Sequence, residues 1–331
     1  MSKVKIWGTS FSLIGDLIMS LPQLTYFKKK YPSSYIYFAI HKKIAYCAPL
    51  FLNHPLIDNI RISQEWSGFG DEDYKIASSC DILTTSLNKE KKIFYERVHY
   101  DREDWYNIRD CIVENSLMSG IDDIENILSK EELFPKLEMW FDPGFISFQK
   151  KGAYTYDKVE NKLNKKLNKY ISIWPFAGYG RSNDRSPSQN WWTNVVQSLV
   201  DQKINIIHCG YINEPDLCNN TKYYRKITNM DFFEQIKISL GTSLAIGTDS
   251  GSMWVLGAYS HPSIHLMTNW ANFSQKHETN FTAFEPINSN SITFFERDGC
   301  DNINKDEVIQ TCVKMLDEKK TNFNKFLDKF I

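Results

Sequence analysis

The sequence of 331 residues lacks several features that would assign the protein to a class at once. It has no apolar run near the roughly 18 residues needed to cross a bilayer, so we predict no membrane span. It has no excess of either charge, with 39 Lys and Arg against 40 Asp and Glu. Because proteins that bind polyanions usually carry surplus positive charge, nucleic acid is not the expected partner.

Several catalytic motifs are also absent. The sequence contains no P-loop, no G-x-G-x-x-G after its first β-rich segment, no G-x-S-x-G and no H-E-x-x-H. These absences argue against ATP hydrolysis, nicotinamide chemistry, serine hydrolases and zinc peptidases. The seven cysteines include no C-x-x-C pair. A scattered, odd-numbered set of cysteines favours reduced thiols in a cytoplasm over a disulfide framework or a zinc site.

Short β-forming segments alternate with helical patterns along both halves of the chain. In the first half, residues 34–40 and 57–62 form β-rich segments, and residues 17–31 show helical spacing. Pro22 should kink that helix or delay its start. In the second half, the strand predicted at residues 170–174 starts a similar series. This alternation predicts an α/β fold with parallel sheets.

The series is interrupted once, by a polar, lysine-rich segment at residues 158–169. Such segments commonly join domains. We therefore predict two Rossmann-like domains, residues 1–150 and 151–331, facing a central cleft. The second domain should end in a helix after Asn304, whose spacing to Glu307 resembles a capping box.

Asp16 follows the first predicted strand and begins the first helix. Ligands bind at the carboxyl edge of such sheets, where a carboxylate can act as a general base. The alternative is that Asp16 caps the helix, and the two roles can coexist.

The loop after the strand at residues 170–174 combines glycines with two arginines, Arg181 and Arg185. Glycine lets the backbone approach a ligand closely, and the guanidinium fork matches phosphate oxygens. This composition favours a diphosphate site, although an arginine in a polar loop is often simply solvated.

A turn of small residues, 247–251, joins another predicted strand to a helix. Thr248, Ser250 and Gly251 would allow a phosphate to settle on the N–H groups of the helix N-terminus. Asp249 would more readily accept hydrogen bonds from a sugar hydroxyl. An ordinary turn capped by Asp or Ser is the alternative.

Other patterns favour ordinary structure. Residues 71–73 have the D-x-D form of some metal-dependent glycosyltransferases but fit a solvated acidic loop. His208 ends an apolar segment and is expected in the core or at its edge. Trp191, Trp192 and Trp270 are expected to pack in or around the core.

Three ordered motifs resemble those of the heptosyltransferase-like glycosyltransferase family, whose relatives include ADP-heptose:lipopolysaccharide heptosyltransferases. The motifs are residues 15–24, residues 174–177 with Arg185 to Pro187, and residues 249–254. The resemblance implies a GT-B fold and transfer of a sugar from a nucleotide-diphosphate donor. Trp254 stands where the family usually has His, and Trp174 and Phe176 replace the usual His and Gly.

The resemblance also implies roles for individual residues. Asp16 would be the general base, and Asp249 would contact the donor sugar. The remaining donor contacts would be made to the diphosphate by Arg185 or Arg181, Ser250 and Gly251, to the ribose by Glu214, and to the base by Met230.

The expected function is therefore an inverting, metal-independent transfer that needs no cofactor, as in lipopolysaccharide, capsule or other surface glycan synthesis. The acceptor would be a glycan or a lipid-linked molecule. The location would be cytoplasmic, with peripheral contact at the inner membrane face left open. The alternatives are a GT-B scaffold protein without turnover and a sugar-nucleotide epimerase of the same fold.

Overall fold

The structure is a computed structural model. It describes residues 4–9, 14–52, 54–63, 76, 79–84, 121, 123–129, 132–133, 137, 145–150, 153–158, 170–177, 185–219, 222–268 and 290–318. The chain divides into two units, Met1–Tyr156 with Ser274–Phe284, and Asp157–Phe273 with Glu285–Ile331. The apolar spacing of residues 105–118 also predicts a helix, but this segment and the acidic segment at residues 71–73 lie outside the described residues.

The first unit contains a parallel sheet of four strands in the order β3-β2-β1-β4. Its core is apolar, since Ile6, Ile36 and Phe38 on the strands are at most 2% exposed. The elements are β1 Lys5–Thr9, α1 Ile14–Met19, α2 Leu21–Lys30, β2 Tyr35–His41, a 3-10 helix Lys42–Phe51, β3 Asn59–Ser63, β4 Ile82–Thr84 and α3 Ile124–Ile127. A separate pair of strands, β5 Phe145–Lys150 and β6 Ala153–Lys158, was not predicted.

The single helix predicted at residues 17–31 is in fact two helices. Helix α1 ends at Met19, and α2 begins at Leu21 with Ser20 as its N-cap residue. Pro22 lies in the first turn of α2, where its missing N–H removes no helical hydrogen bond. The expectation that Pro22 delays the start of the helix is thus confirmed.

The basic C-terminal end of α2 forms ion pairs with other segments. Lys28 pairs with Asp58 at 2.9 Å. The two lysines that follow it also pair with carboxylates. These pairs are Lys29 with Glu132 at 2.6 Å and Lys30 with Asp123 at 2.8 Å.

In the ranges that the structure describes, no helix is long and apolar enough to cross a bilayer.

The second unit contains a parallel sheet of six strands in the order β12-β11-β10-β7-β8-β9. The strand predicted at residues 170–174 is confirmed as β7, whereas the short strands β9 and β12 were not predicted. The elements are β7 Tyr170–Trp174, α4 Gln189–Asp201, β8 Asn205–His208, β9 Tyr224–Lys226, α5 Phe232–Leu240, β10 Leu244–Thr248, α6 Gly251–Ala258, β11 Ser263–Thr268, β12 Ser291–Glu296, a 3-10 helix Cys300–Asn302 and α7 Lys305–Glu318.

One face of this sheet is covered by α4 and α7. Trp191 and Trp192 are 2% and 0% exposed, which confirms them as core residues. Helix α7 adds Val308 and Cys312 to the same core, as its pattern predicted. Its N-terminus is capped by Asn304, whose Oδ1 accepts from the N–H groups of the second and third helical residues. This packing holds the carboxyl ends of β7 and β10 at one edge of the sheet.

Candidate functional site

The order of the strands marks a crevice in the second unit. The chain enters the sheet at β7, continues outward through β8 and β9, and returns to place β10 on the other side of β7. The loops that follow β7 and β10 therefore run in opposite directions from neighbouring strands. Ligands of doubly wound sheets bind outside the carboxyl ends of the strands at such a point.

The turn after β10 has the features of an anion site. Thr248 is fully buried, Asp249 is 8% exposed, and Ser250 occupies the N-cap position of α6. The side chain of Ser250 forms no capping bond, and its Oγ is buried without a hydrogen-bond partner among the described residues. The first N–H groups of a helix have no partner within the helix, so those following Gly251 suit a phosphate oxygen.

Gly247 allows this turn to lie close to β7. A Cβ atom at this position would lie 2.6 Å from Sδ of Met253 and 3.0 Å from Cβ of Trp174. The first distance is shorter than real Cβ contacts and the second is unusually tight, so a side chain at this position would require Met253 to shift. The missing side chain thus makes room for Met253, a residue of α6, beside Trp174.

Ser186 joins the β7 loop to the turn. Its Oγ accepts a 2.8 Å hydrogen bond from the N–H of Ala177 and donates to Oγ1 of Thr248 at 3.4 Å. The two ends of the loop are therefore tied to each other and to the end of β10. The middle of the loop, including Arg181, lies outside the described residues.

Arg185 is held beside the turn through its backbone. Its carbonyl accepts a hydrogen bond from Sγ of Cys300 at 3.5 Å, and the N–H of Ser188 donates to Oδ1 of Asp301 at 2.5 Å. Burial raises the pKa of Cys300 to about 12, and the negative charges of Asp301 and Asp249 add to the rise. The thiol consequently stays protonated and remains a hydrogen-bond donor to the Arg185 carbonyl.

Asp249 contacts the helix that follows it. Nε1 of Trp254 donates to its Oδ1 at 3.4 Å, and Trp254 is only 4% exposed. The structure thus brings together Arg185, Thr248, Asp249, Ser250 and Gly251, five of the residues that the sequence singled out.

Asp16 belongs to the first unit and is placed there by its backbone. It is the third residue of α1, which follows β1, the strand between β2 and β4. The interpretation of Asp16 as the N-cap residue is wrong, because the helix already begins at Ile14. A carboxylate in the first turn of a helix is still favoured by the helix dipole.

Glu214 lies in the loop that follows β8, and its side chain is largely internal. Its Oε2 is 2.9 Å from Nε2 of His208, and its Oε1 accepts from the N–H of Tyr211 at 2.9 Å. The side chain of Glu214 is 8% exposed, and His208 is fully buried, which confirms it as a core residue. Nδ1 of His208 lies 2.6 Å from the hydroxyl of Tyr224.

Met230 is 36% exposed, and its carbonyl accepts a 2.8 Å hydrogen bond from Nε2 of Gln235. Gln235 was missed in the sequence, although a glutamine beside the buried Ile236 in an apolar helix could have indicated a buried polar contact. No group of three or more His, Cys, Asp and Glu side chains in the described ranges is placed to hold a metal ion.

No family model matches the sequence, and no curated protein is found as a relative. Solved structures do match. E. coli ADP-heptose lipopolysaccharide heptosyltransferase II superposes with a TM-score of 0.65 at 15% identity, over 96% of this chain and 100% of that one. A family 9 glycosyltransferase from Veillonella parvula gives 0.60 at 12% identity, over 96% and 99%.

A third structure, E. coli heptosyltransferase WaaC with ADP, gives a TM-score of 0.52 at 13% identity, over 94% of this chain and 100% of that one. At these identities the likeness establishes the fold. Two parallel sheets of Rossmann type and near-complete coverage of both chains agree on the same architecture. The chain therefore has the α/β GT-B fold of the heptosyltransferase-like glycosyltransferases, as its three motifs predicted.

Proposed function

We propose that the protein is an inverting, metal-independent glycosyltransferase that moves a sugar from a nucleotide-diphosphate donor to a glycan or lipid-linked acceptor. The main support for the proposal is the turn at residues 248–251. An eight-residue helix starts there, at the point where the order of the strands reverses between β7 and β10. Hydrogen bonds of Ser186, the residue after Arg185, tie this segment to Ala177 and to Thr248 of the turn.

The donor end of the reaction needs stabilisation of a leaving group. When the bond between the sugar C1 and the diphosphate oxygen breaks, its electron pair stays with the nucleoside diphosphate. The N–H groups at the start of α6 and the guanidinium of Arg185 are suited to that negative charge. Such preorganised donors lower the barrier because they need no rearrangement as the charge develops.

The acceptor end needs a base, and the proposal assigns this role to Asp16. The carboxylate takes the proton of the acceptor hydroxyl while the hydroxyl oxygen attacks C1 of the sugar from the side opposite the leaving group. One C–O bond forms, one breaks, and the configuration at C1 inverts. Asp249 would accept a hydrogen bond from a hydroxyl of the donor sugar.

Structural neighbours support a nucleotide donor, because one of them is a heptosyltransferase with ADP. We assign a donor class rather than ADP-heptose, since Trp254 and Trp174 depart from the residues usual in the family. Synthesis of a surface glycan such as lipopolysaccharide is the corresponding biological role. A cytoplasmic location, with contact at the inner membrane face for a lipid-linked acceptor, belongs to the same proposal.

The donor site is tested by calorimetric titration with ADP, GDP, UDP and CMP without added metal. We expect saturable binding of one nucleoside diphosphate and at least a tenfold loss of affinity in Arg185→Ala. Lys314→Ala, which removes an exposed positive charge from α7, is the matched control and should bind as the wild type does. A folded wild-type protein that binds none of the nucleotides would overturn the donor-site assignment.

A further inference from the structure

Gln235 of α5 joins two separate backbone segments at the carboxyl edge of the second sheet. Its Oε1 accepts from the N–H of Gly210 at 2.7 Å, and its Nε2 donates to the carbonyl of Gly210 at 3.1 Å and to that of Met230 at 2.8 Å. The residue is only 3% exposed. One N–H partner and two carbonyl partners fix the orientation of the amide, so Gln235 holds both segments in one arrangement.

A second set of buried bonds closes the loop that begins at Gly210. The N–H of Leu217 donates to the hydroxyl of Tyr224 at 3.1 Å, and this hydroxyl lies 2.6 Å from Nδ1 of His208. On its other side the imidazole contacts Glu214. All these groups are satisfied when Tyr224 donates to Nδ1 and Nε2–H donates to the carboxylate. Residues 210–217, called the 210–217 loop below, are therefore anchored at both ends.

Gly210 makes this closure possible. Its φ of 144° belongs to the region that favours glycine, and a Cβ atom there would collide with the carboxylate of Glu214. The carboxylate lies directly over the α-carbon, from where it also accepts the N–H of Tyr211. The shape of the loop is thus set before any ligand arrives.

The 210–217 loop presents apolar side chains to solvent. Ile212 is 66% exposed and Tyr211 is 46% exposed, and Gln235 holds Met230, which is 36% exposed, against the same loop. Exposed apolar side chains held on a rigid backbone suit a planar ring that stacks on them.

This apolar surface lies within reach of the diphosphate turn. Strand β7 separates β8 from β10, so the ends of β8 and β10 are two strand spacings apart, about 10 Å. Helix α5 packs across the ends of β7 and β8. Ser239, one turn after Gln235, accepts a 3.2 Å hydrogen bond from Nε1 of Trp174 and contacts Sγ of Cys209 at 3.5 Å. A nucleoside that extends from a diphosphate on α6 toward β8 would reach the loop.

We propose that Gln235 is a positioning residue that holds the 210–217 loop as a preformed seat for the base of the bound nucleotide. The inference rests on the proposed function, since it takes a nucleoside diphosphate as the ligand. Because the loop is already ordered, it loses little conformational entropy when the base binds. Gln235 therefore contributes to affinity for the nucleoside and leaves affinity for the diphosphate alone unchanged.

The test compares two ligands, the nucleoside diphosphate that the wild type prefers and inorganic pyrophosphate. Gln235→Met keeps the length of the side chain and removes all three hydrogen bonds. Its matched control is Gln202→Met, at an exposed glutamine after α4 whose amide donates to the carbonyl of Ser198. We expect Gln235→Met to bind the nucleoside diphosphate at least tenfold more weakly and pyrophosphate as the wild type does. Gln202→Met should leave both affinities unchanged.

A measurement on the wild type keeps the test independent of how well the variant folds. Hydrogen exchange of the Tyr211 and Leu217 amides should slow with the nucleoside diphosphate and stay unchanged with pyrophosphate. An equal loss of both affinities, no loss of either, or unchanged exchange with both ligands would overturn the role of Gln235. A folded wild-type protein that binds neither ligand would instead overturn the proposed function.

Discussion

The indole Nε1 of Trp254 lies 3.4 Å from Oδ1 of Asp249, one helical turn away, and both residues are buried. Trp254 therefore supplies an N–H donor to the carboxylate at the position where the resembling family usually has His. Unlike an imidazole, an indole does not titrate near neutral pH. The contact orients Asp249 without making that orientation depend on pH.

We expect Trp254→Phe to reduce sugar transfer about fivefold, since losing one long hydrogen bond to a carboxylate costs about 1 kcal/mol. Trp254→His should retain more activity and acquire a pH dependence centred near 6.5, the ordinary pKa of an imidazole. Activity of the three proteins between pH 5.5 and 8.5 checks this. Equal activity of wild type and Trp254→Phe at every pH would contradict the role given to the indole.

Gly210→Ala should be more destabilising than Gly299→Ala. Both glycines have a positive φ, 144° and 121°, so both substitutions carry backbone strain of about 1–3 kcal/mol. Only at Gly210 does the new Cβ also meet the carboxylate of Glu214, because nothing lies within 4 Å of it at Gly299. Urea unfolding of both variants measures the difference, and equal losses of stability would show that Glu214 does not pack over Gly210.

Ser186→Ala should weaken nucleotide binding with a small effect on folding. The substitution leaves the N–H of Ala177 without its 2.8 Å acceptor and separates the β7 loop from Thr248. One such bond contributes about 1 kcal/mol to stability. Calorimetry with the preferred nucleotide should give a several-fold higher Kd, and Ser198→Ala on α4 serves as the control. Wild-type affinity in Ser186→Ala would mean that nucleotide binding does not depend on the hydrogen bonds of Ser186.

The protein should lose stability below pH 6.5 because of His265. Burial lowers the pKa of His265 to about 3, so the native imidazole stays neutral while the unfolded one binds a proton below 6.5. Between pH 7.5 and 5.5 this difference lowers the free energy of unfolding by about 1.4 kcal/mol. Burial also lowers the pKa of His54, to about 4, which adds a loss of the same sign.

Urea unfolding at the two pH values tests this linkage. His265→Asn should show a smaller loss between pH 7.5 and 5.5 than the wild type, with the part due to His54 still present. A variant with the same pH dependence as the wild type would mean that His265 does not carry the effect.

Elements with a strong local pattern were predictable. Strand β7 and the capped helix α7 lie where apolar spacing placed them, because each buries apolar side chains in the core. The three-residue strand β9 and the half-exposed edge strand β12 gave no such signal. Short strands of this kind are formed by pairing with a neighbour rather than by their own sequence.

One part of the candidate site was predictable from the sequence, namely the turn that ends strand β10. The segment from Thr248 to Gly251 stands out as a run of small residues between an apolar strand and a helix, whereas Arg185 stands out only as a basic residue in the loop after β7. The partners of Glu214 and Gln235 were not predictable, since they depend on how the ends of β8 and α5 meet. A single sequence carries no signal for which backbone groups a buried amide will reach.

Turnover of a nucleotide sugar is the property that defines the proposed function. The decisive measurement follows release of nucleoside diphosphate from the sugar nucleotide whose base the protein prefers, with glycan or lipid-linked acceptors and a metal chelator present. We predict release that requires acceptor, persists with the chelator, and falls at least a hundredfold in Asp16→Asn while nucleotide affinity is unchanged. Donor turnover without acceptor, or wild-type rates in Asp16→Asn, would contradict the proposed mechanism.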